Sequence, residues 1–131
     1  MKSPKLAFLL GLAAWIAWMP TIMGLLMAMP SDYAASRVGT SLPAVLLAVS
    51  VLGFSIIYLR KIRQGTFKEG LLLGLSWMVI FGIFDALHYV AMGAFEPVSY
   101  LTMQFPVYLG IPILTTLLFC FTQAKDKENR V

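Results

Sequence analysis

Charged residues along this chain gather between four apolar runs, at residues 6–29, 42–59, 71–92 and 100–121. Each run approaches or exceeds the roughly 20 helical residues that cross a hydrocarbon core of about 30 Å. The pattern predicts an all-α protein: a polytopic membrane four-helix bundle of up-down-up-down topology, forming a single transmembrane domain over residues 1–131. Lys2 and Lys5 could open a signal peptide. The 24-residue apolar run behind them exceeds the roughly 7–15 residues of a signal h-region, so it is read as a retained helix. The second run is the shortest and is expected to extend toward Thr40 and Lys61. The connections, residues 30–41, 60–70 and 93–99, are short, which makes consecutive helices antiparallel neighbours.

Composition supports the same class. Hydrophobic residues make up 60% of the chain and charged residues 12%, with a mean hydropathy of +0.83. So few charges cannot cover so much apolar surface in water, whereas lipid asks for no cover. A net charge of +4 raises the possibility of a nucleic-acid partner, but the placement of the charges excludes a binding groove. Nine of the ten basic residues lie in three clusters: Lys2 and Lys5; Arg60, Lys61, Arg63 and Lys68; and Lys125, Lys127 and Arg130. With both termini cytoplasmic, only Arg37 lies outside, as the positive-inside rule requires. Arg37 could pair with Asp32 or bind a lipid headgroup; a solvated loop is the default. The lone Cys120 allows no internal disulfide, and packs as a small hydrophobe unless palmitoylated.

Polar groups in lipid need partners, so they are the candidates for chemistry. Asp85 is the one acid well inside a run. His88 and Tyr89 follow it by three and four residues, so the three share a helix face, with Phe81 and Gly82 one turn below. In the fourth run Tyr100, Gln104, Tyr108, Thr115 and Thr122 form a matching stripe. Tyr108 and Asp85 come out at similar depths, about 12 and 10 Å below the external end at 1.5 Å per residue, so a hydrogen bond between them is expected. Pro112, Pro106 and Pro20 free the carbonyls of Tyr108, Thr102 and Ile16. Together these groups suggest a small polar cavity open to the outside, with Asp85 binding a cation or carrying a proton. The structural alternative is that Asp85 joins helices by bonding Tyr108 or His88. Nothing resembles a Ser-His-Asp grouping, a phosphate loop, paired catalytic carboxylates or a metal-ligand set, so no catalytic residue, metal or cofactor is expected. Gly70 and Gly74, and Ala13 and Ala17, fit close helix packing. A shift of 63 residues lays Lys5, Gly11 and Pro43 over Lys68, Gly74 and Pro106, a weak sign of two parallel repeats about the membrane normal.

The motifs Gly74-Leu75-Ser76-Trp77, Asp85, Ser99-Tyr100 and Tyr108-Leu109-Gly110-Ile111-Pro112 resemble those of uncharacterised small bacterial four-helix integral membrane proteins. That resemblance implies a multi-pass protein of the bacterial plasma (inner) membrane and a shared Asp/Tyr/Pro cluster, and no particular activity. The leading expectation is small-solute or ion binding and transport by a homo-oligomer in the lipid bilayer, using Asp85, His88, Tyr89, Gln104 and Tyr108. The alternative is a non-catalytic accessory or regulatory subunit of a larger membrane complex. An enzyme acting on lipids or quinones comes third.

Overall fold

In the computed structural model, residues 1–30, 37–62, 65–93 and 95–128 are described, without the side chains of residues 26, 37–40, 103, 104 and 125–128. The expected contact between Asp32 and Arg37 and the Gln104 side chain fall outside these. The elements among the described residues are all helices: α1 (Pro4–Ala28), α2 (Arg37–Ile62), α3 (Phe67–Ala91), α4 (Pro97–Ser99), a π turn (Tyr100–Gln104), α5 (Phe105–Tyr108) and α6 (Gly110–Glu128). Four spans are long and apolar enough to cross a membrane: Pro4–Leu25, Ser41–Ile62, Phe67–Ala91 and Pro97–Ala124. Most helix ends outrun the apolar runs because they follow backbone hydrogen bonding. Pro4 opens α1 at a position where its missing N–H costs nothing. Thr66 caps α3, its hydroxyl accepting from the Glu69 N–H.

The close backbone contacts link α1 to α2, α2 to α6, α6 to α3 and α3 to α1. The spans therefore form a ring in which α2 and α3, although consecutive, stand diagonally. The expectation that consecutive helices are neighbours fails there: a short connection can cross the end of a bundle as easily as follow its rim. The same order argues against two hairpins repeated about a central two-fold axis. Such an axis would set α1 diagonally opposite α3, whereas these two pack side by side.

Small residues decide how near the helices come. A Cβ on Gly74 would lie 2.4 Å from the Pro112 Cα and 2.3 Å from the Thr115 hydroxyl, and one on Gly70 would lie 2.9 Å from Phe119. This is the close approach of α3 and α6 expected at Gly70 and Gly74. On α1 the packed face is Ala7, Gly11 and Ala14 rather than Ala13 and Ala17; Ala7 and Ala14 are fully buried and Ala17 is exposed. Gly11 receives the Trp77 ring, whose Nε1–H donates to the Ala7 carbonyl at 2.7 Å.

Candidate functional site

Phe81 and Asp85, four residues apart, share the buried face of α3. Asp85 is 2% exposed, and its Oδ2 accepts from the Tyr108 hydroxyl at 2.6 Å. Tyr108 is the last residue of α5, at the point where the fourth span breaks at Leu109. The prolines account for the break. Pro112 has no N–H to return to the Tyr108 carbonyl, and Pro106 has none for that of Thr102. Upstream, the Phe105 N–H donates to the Tyr100 carbonyl five residues back, which makes the π turn. Downstream, the Leu109 N–H donates to the Pro106 carbonyl at 3.2 Å.

Aromatic rings wall in the pair. The Trp18 ring meets Tyr108 edge-on at 6.3 Å, and its Nε1–H donates to the Pro43 carbonyl at 3.0 Å, tying α1 to α2. Phe81 lies 6.1 Å from the Tyr108 ring and 5.9 Å from that of Trp18. The cavity expected to open outward is therefore closed in this structure. One turn before Asp85 on α3 the Gly82 carbonyl accepts from the Tyr100 hydroxyl at 2.7 Å. Tyr89 touches the Tyr100 ring at 6.1 Å, and His88 touches Tyr89 at 6.3 Å. Asp85 and Tyr108 are thus joined directly, whereas Tyr89 and His88 form an outer aromatic rim. Among the described residues no hydrogen bond joins His88 to Asp85.

In lipid a hydrogen bond between helices contributes about 0.6 kcal/mol on average and about 1.7 at most, because the dissociated helices also find partners. Tyr108→Phe should therefore lower stability by about 1 kcal/mol in detergent unfolding titrations. A double-mutant cycle with Asp85→Ala should give a coupling of similar size; additive effects would mean that the bond contributes nothing.

At the opposite end lies a second acid–phenol pair that hydropathy places in a loop. Glu69, in the first turn of α3, is 5% exposed. Its Oε1 accepts from the fully buried Tyr58 hydroxyl at 2.5 Å and from the Lys2 backbone N–H at 2.7 Å. Its Oε2 lies 3.7 Å from the Met1 amino group. A signal was present: Thr66-Phe67-Lys68-Glu69 has the capping-box spacing, which starts α3 at this point and makes Glu69 part of it.

Compared with models of known protein families, with curated proteins and with solved structures, the chain matches none. The resemblance to small bacterial four-helix membrane proteins therefore rests on the quoted motifs alone.

Proposed function

We propose that this protein is a multi-pass bacterial inner-membrane protein that binds and transports a small solute or ion at Asp85, working as a homo-oligomer with both termini cytoplasmic. The observation that carries this is the buried Asp85–Tyr108 hydrogen bond at the break in the fourth span. An acid is costly in lipid and tends to mark a pathway. A discontinuous helix at mid-membrane is how many transporters build a binding site, because irregular backbone at that depth offers polar groups to a solute. The tyrosine at the break can move with it, so bending there would uncover the carboxylate. The homo-oligomer follows from the size of the bundle: four helices filled with aromatic rings leave little lumen, and a path forms more easily between protomers. The orientation is supported by Lys2, Lys5, Arg60, Lys61 and Lys68, which lie at helix ends that meet around Glu69.

The test is flux in proteoliposomes, followed in turn for protons, sodium and potassium. Asp85→Asn keeps the shape and a hydrogen-bond acceptor for Tyr108 but removes the charge. It should lower the flux at least tenfold while the protein still elutes as a single species. Equal flux through wild type and variant would overturn the proposal.

An accessory subunit is the second reading, favoured by the outward face of α1. Ala17, Thr21 and Gly24 are exposed there, and nothing lies within 4 Å of where a Gly24 Cβ would be. Small residues at this spacing let another membrane helix come close. Native mass spectrometry of gently extracted protein separates the two, by a homo-oligomer or by a foreign subunit in fixed ratio.

A further inference from the structure

We infer that the ion handled at Asp85 is the proton, and that Glu69, held by Tyr58 and approached through Ser55, is a second carboxyl on its path at the opposite end of the bundle. This rests on the transport role proposed for Asp85. It adds the identity of the ion and the second site.

The first observation is where the buried polar groups lie. Among the described residues the buried polar or charged side chains are Ser55, Glu69, Asp85 and Thr115. Tyr58 and Tyr108, also buried, bond the two acids. Glu69 and Asp85 are 16 residues apart on one helix, roughly 24 Å at 1.5 Å per residue, which is most of a hydrocarbon core. Between them α2 and α6 run in the same direction. The Tyr58 and Phe119 rings meet at 6.4 Å, so one turn further from that end Ser55 stands level with Thr115. The next turn brings Val51 level with Ile111, and the one after that brings Leu47 level with Tyr108. All of these are buried.

The second observation is Ser55 itself. Hydroxyls inside helices usually bond back to a carbonyl three or four residues earlier, as Thr21, Ser76, Thr102, Thr115 and Thr122 do here. Among the described residues two enclosed helical hydroxyls lack a protein partner, those of Ser55 and of half-buried Thr116, and of the two only Ser55 is a fully buried residue. A buried hydroxyl left unbonded costs about 1–3 kcal/mol, which is expected of a group that serves a passing species. One turn beyond it the Tyr58 oxygen accepts from the Ser3 N–H at 3.3 Å and donates to Glu69. Glu69 is turned toward this path as well. In a capping box its carboxylate would reach back to the Thr66 N–H; instead it is buried against Tyr58.

The surroundings of both carboxylates select the ion. A metal cation needs several oxygen lone pairs directed at it. At Glu69 donors meet both oxygens, the Tyr58 hydroxyl and the Lys2 N–H at Oε1 and the Met1 amino group at Oε2, and the one side-chain partner of Asp85 is likewise a donor, the Tyr108 hydroxyl. The cationic groups facing Glu69 are the Met1 amino group and the Lys2 side chain, and His88 lies near Asp85. A carboxylate with a phenol donor is the minimal set for accepting and passing on a proton. In each transfer one O–H bond breaks as the next forms. Asp85 takes a proton from water at its end of the bundle for each one it passes on. Glu69 releases one to water at the other end for each one it receives, and no electron moves. The layer of Trp77, Val51 and Ile111 interrupts the hydroxyls. Water must enter there as a carrier, and the break at Leu109, two residues before Ile111, allows the fourth span to move aside.

The test uses the full chain in vesicles loaded with a pH-sensitive dye, with a potassium gradient and valinomycin setting the voltage. Wild type should acidify or alkalinise the interior with the sign of the voltage. Glu69→Gln should cut the rate at least tenfold, and Ser55→Ala several-fold. Ser55→Ala removes no bond and relieves an unbonded buried hydroxyl, so its melting temperature should equal or exceed the wild-type value, which keeps the test valid if Glu69→Gln does not fold. Proton flux that requires Asp85 but is unchanged in Ser55→Ala and Glu69→Gln would overturn the second site and leave the role of Asp85 intact. Sodium or potassium flux without proton flux would overturn the proton but spare the Asp85 reading. No flux of any ion would overturn both.

Discussion

Gly74→Val leaves little folded protein to extract from the membrane. A Cβ at this position would meet the Pro112 Cα at 2.4 Å and the Thr115 hydroxyl at 2.3 Å, and a backbone atom cannot turn aside as a side chain can. α3 and α6 would have to separate along the face where Gly70 and Gly74 let them touch. Helices in lipid are held by contact rather than by exclusion of water, so the separation forfeits much of what joins this pair. Overpacking in soluble cores costs typically 1–3 kcal/mol, and with backbone as the obstacle a loss of about 3 kcal/mol or more is expected. Gly53→Ala is the matched control: nothing lies within 4 Å of its Cβ position, and helix propensity alone should make it neutral or stabilising by up to about 1 kcal/mol. Fluorescence-detected size-exclusion chromatography of both variants checks this. Equal monodisperse peaks would mean that α3 and α6 do not pack through Gly74.

Trp77→Ala is the second large effect. Trp77 is fully buried, fills the space over Gly11 and links α3 to α1 through the Ala7 carbonyl. In a soluble protein its removal would cost both the transfer of the ring to water and the cavity left behind. In lipid the transfer contribution falls away, because the separated helix leaves the ring in an apolar solvent too. A cavity of about 100 Å³ or more, at about 24 cal/mol per Å³, still costs roughly 2.5 kcal/mol. Trp77→Phe fills much of that space and loses the hydrogen bond, for about 1 kcal/mol. Unfolding titrations of the two variants should differ accordingly; similar losses would place the ring outside the packed interior.

The spans were legible because lipid imposes a length and tolerates few charges, and both leave marks that no packing detail can erase. The Asp85–Tyr108 pair was legible for the same reason: a polar group in lipid must find a partner, and two stripes at similar depths left few candidates. The arrangement of the helices was not legible. On a membrane helix the face toward lipid and the face toward protein are both apolar, so periodicity does not say which is which. Ala13 and Ala17 were as plausible an interface as Ala7, Gly11 and Ala14, and the diagonal placement of α2 and α3 leaves no trace in hydropathy. Glu69 was hidden differently. Beside Lys68 and the basic cluster it looks like part of a solvated loop, and only the Thr66 cap brings it inside α3.

The bond from Trp77 to the Ala7 carbonyl also imposes an order on biosynthesis. α2 reaches α1 first, through Trp18 and Pro43, but the Trp77 ring that covers Gly11 and bonds the Ala7 carbonyl is synthesised 70 residues after Ala7. At about 5–20 residues per second that delay is roughly 4–14 seconds. Throughout it, the Ala7, Gly11 and Ala14 face of the nascent chain has only lipid or the insertion machinery against it.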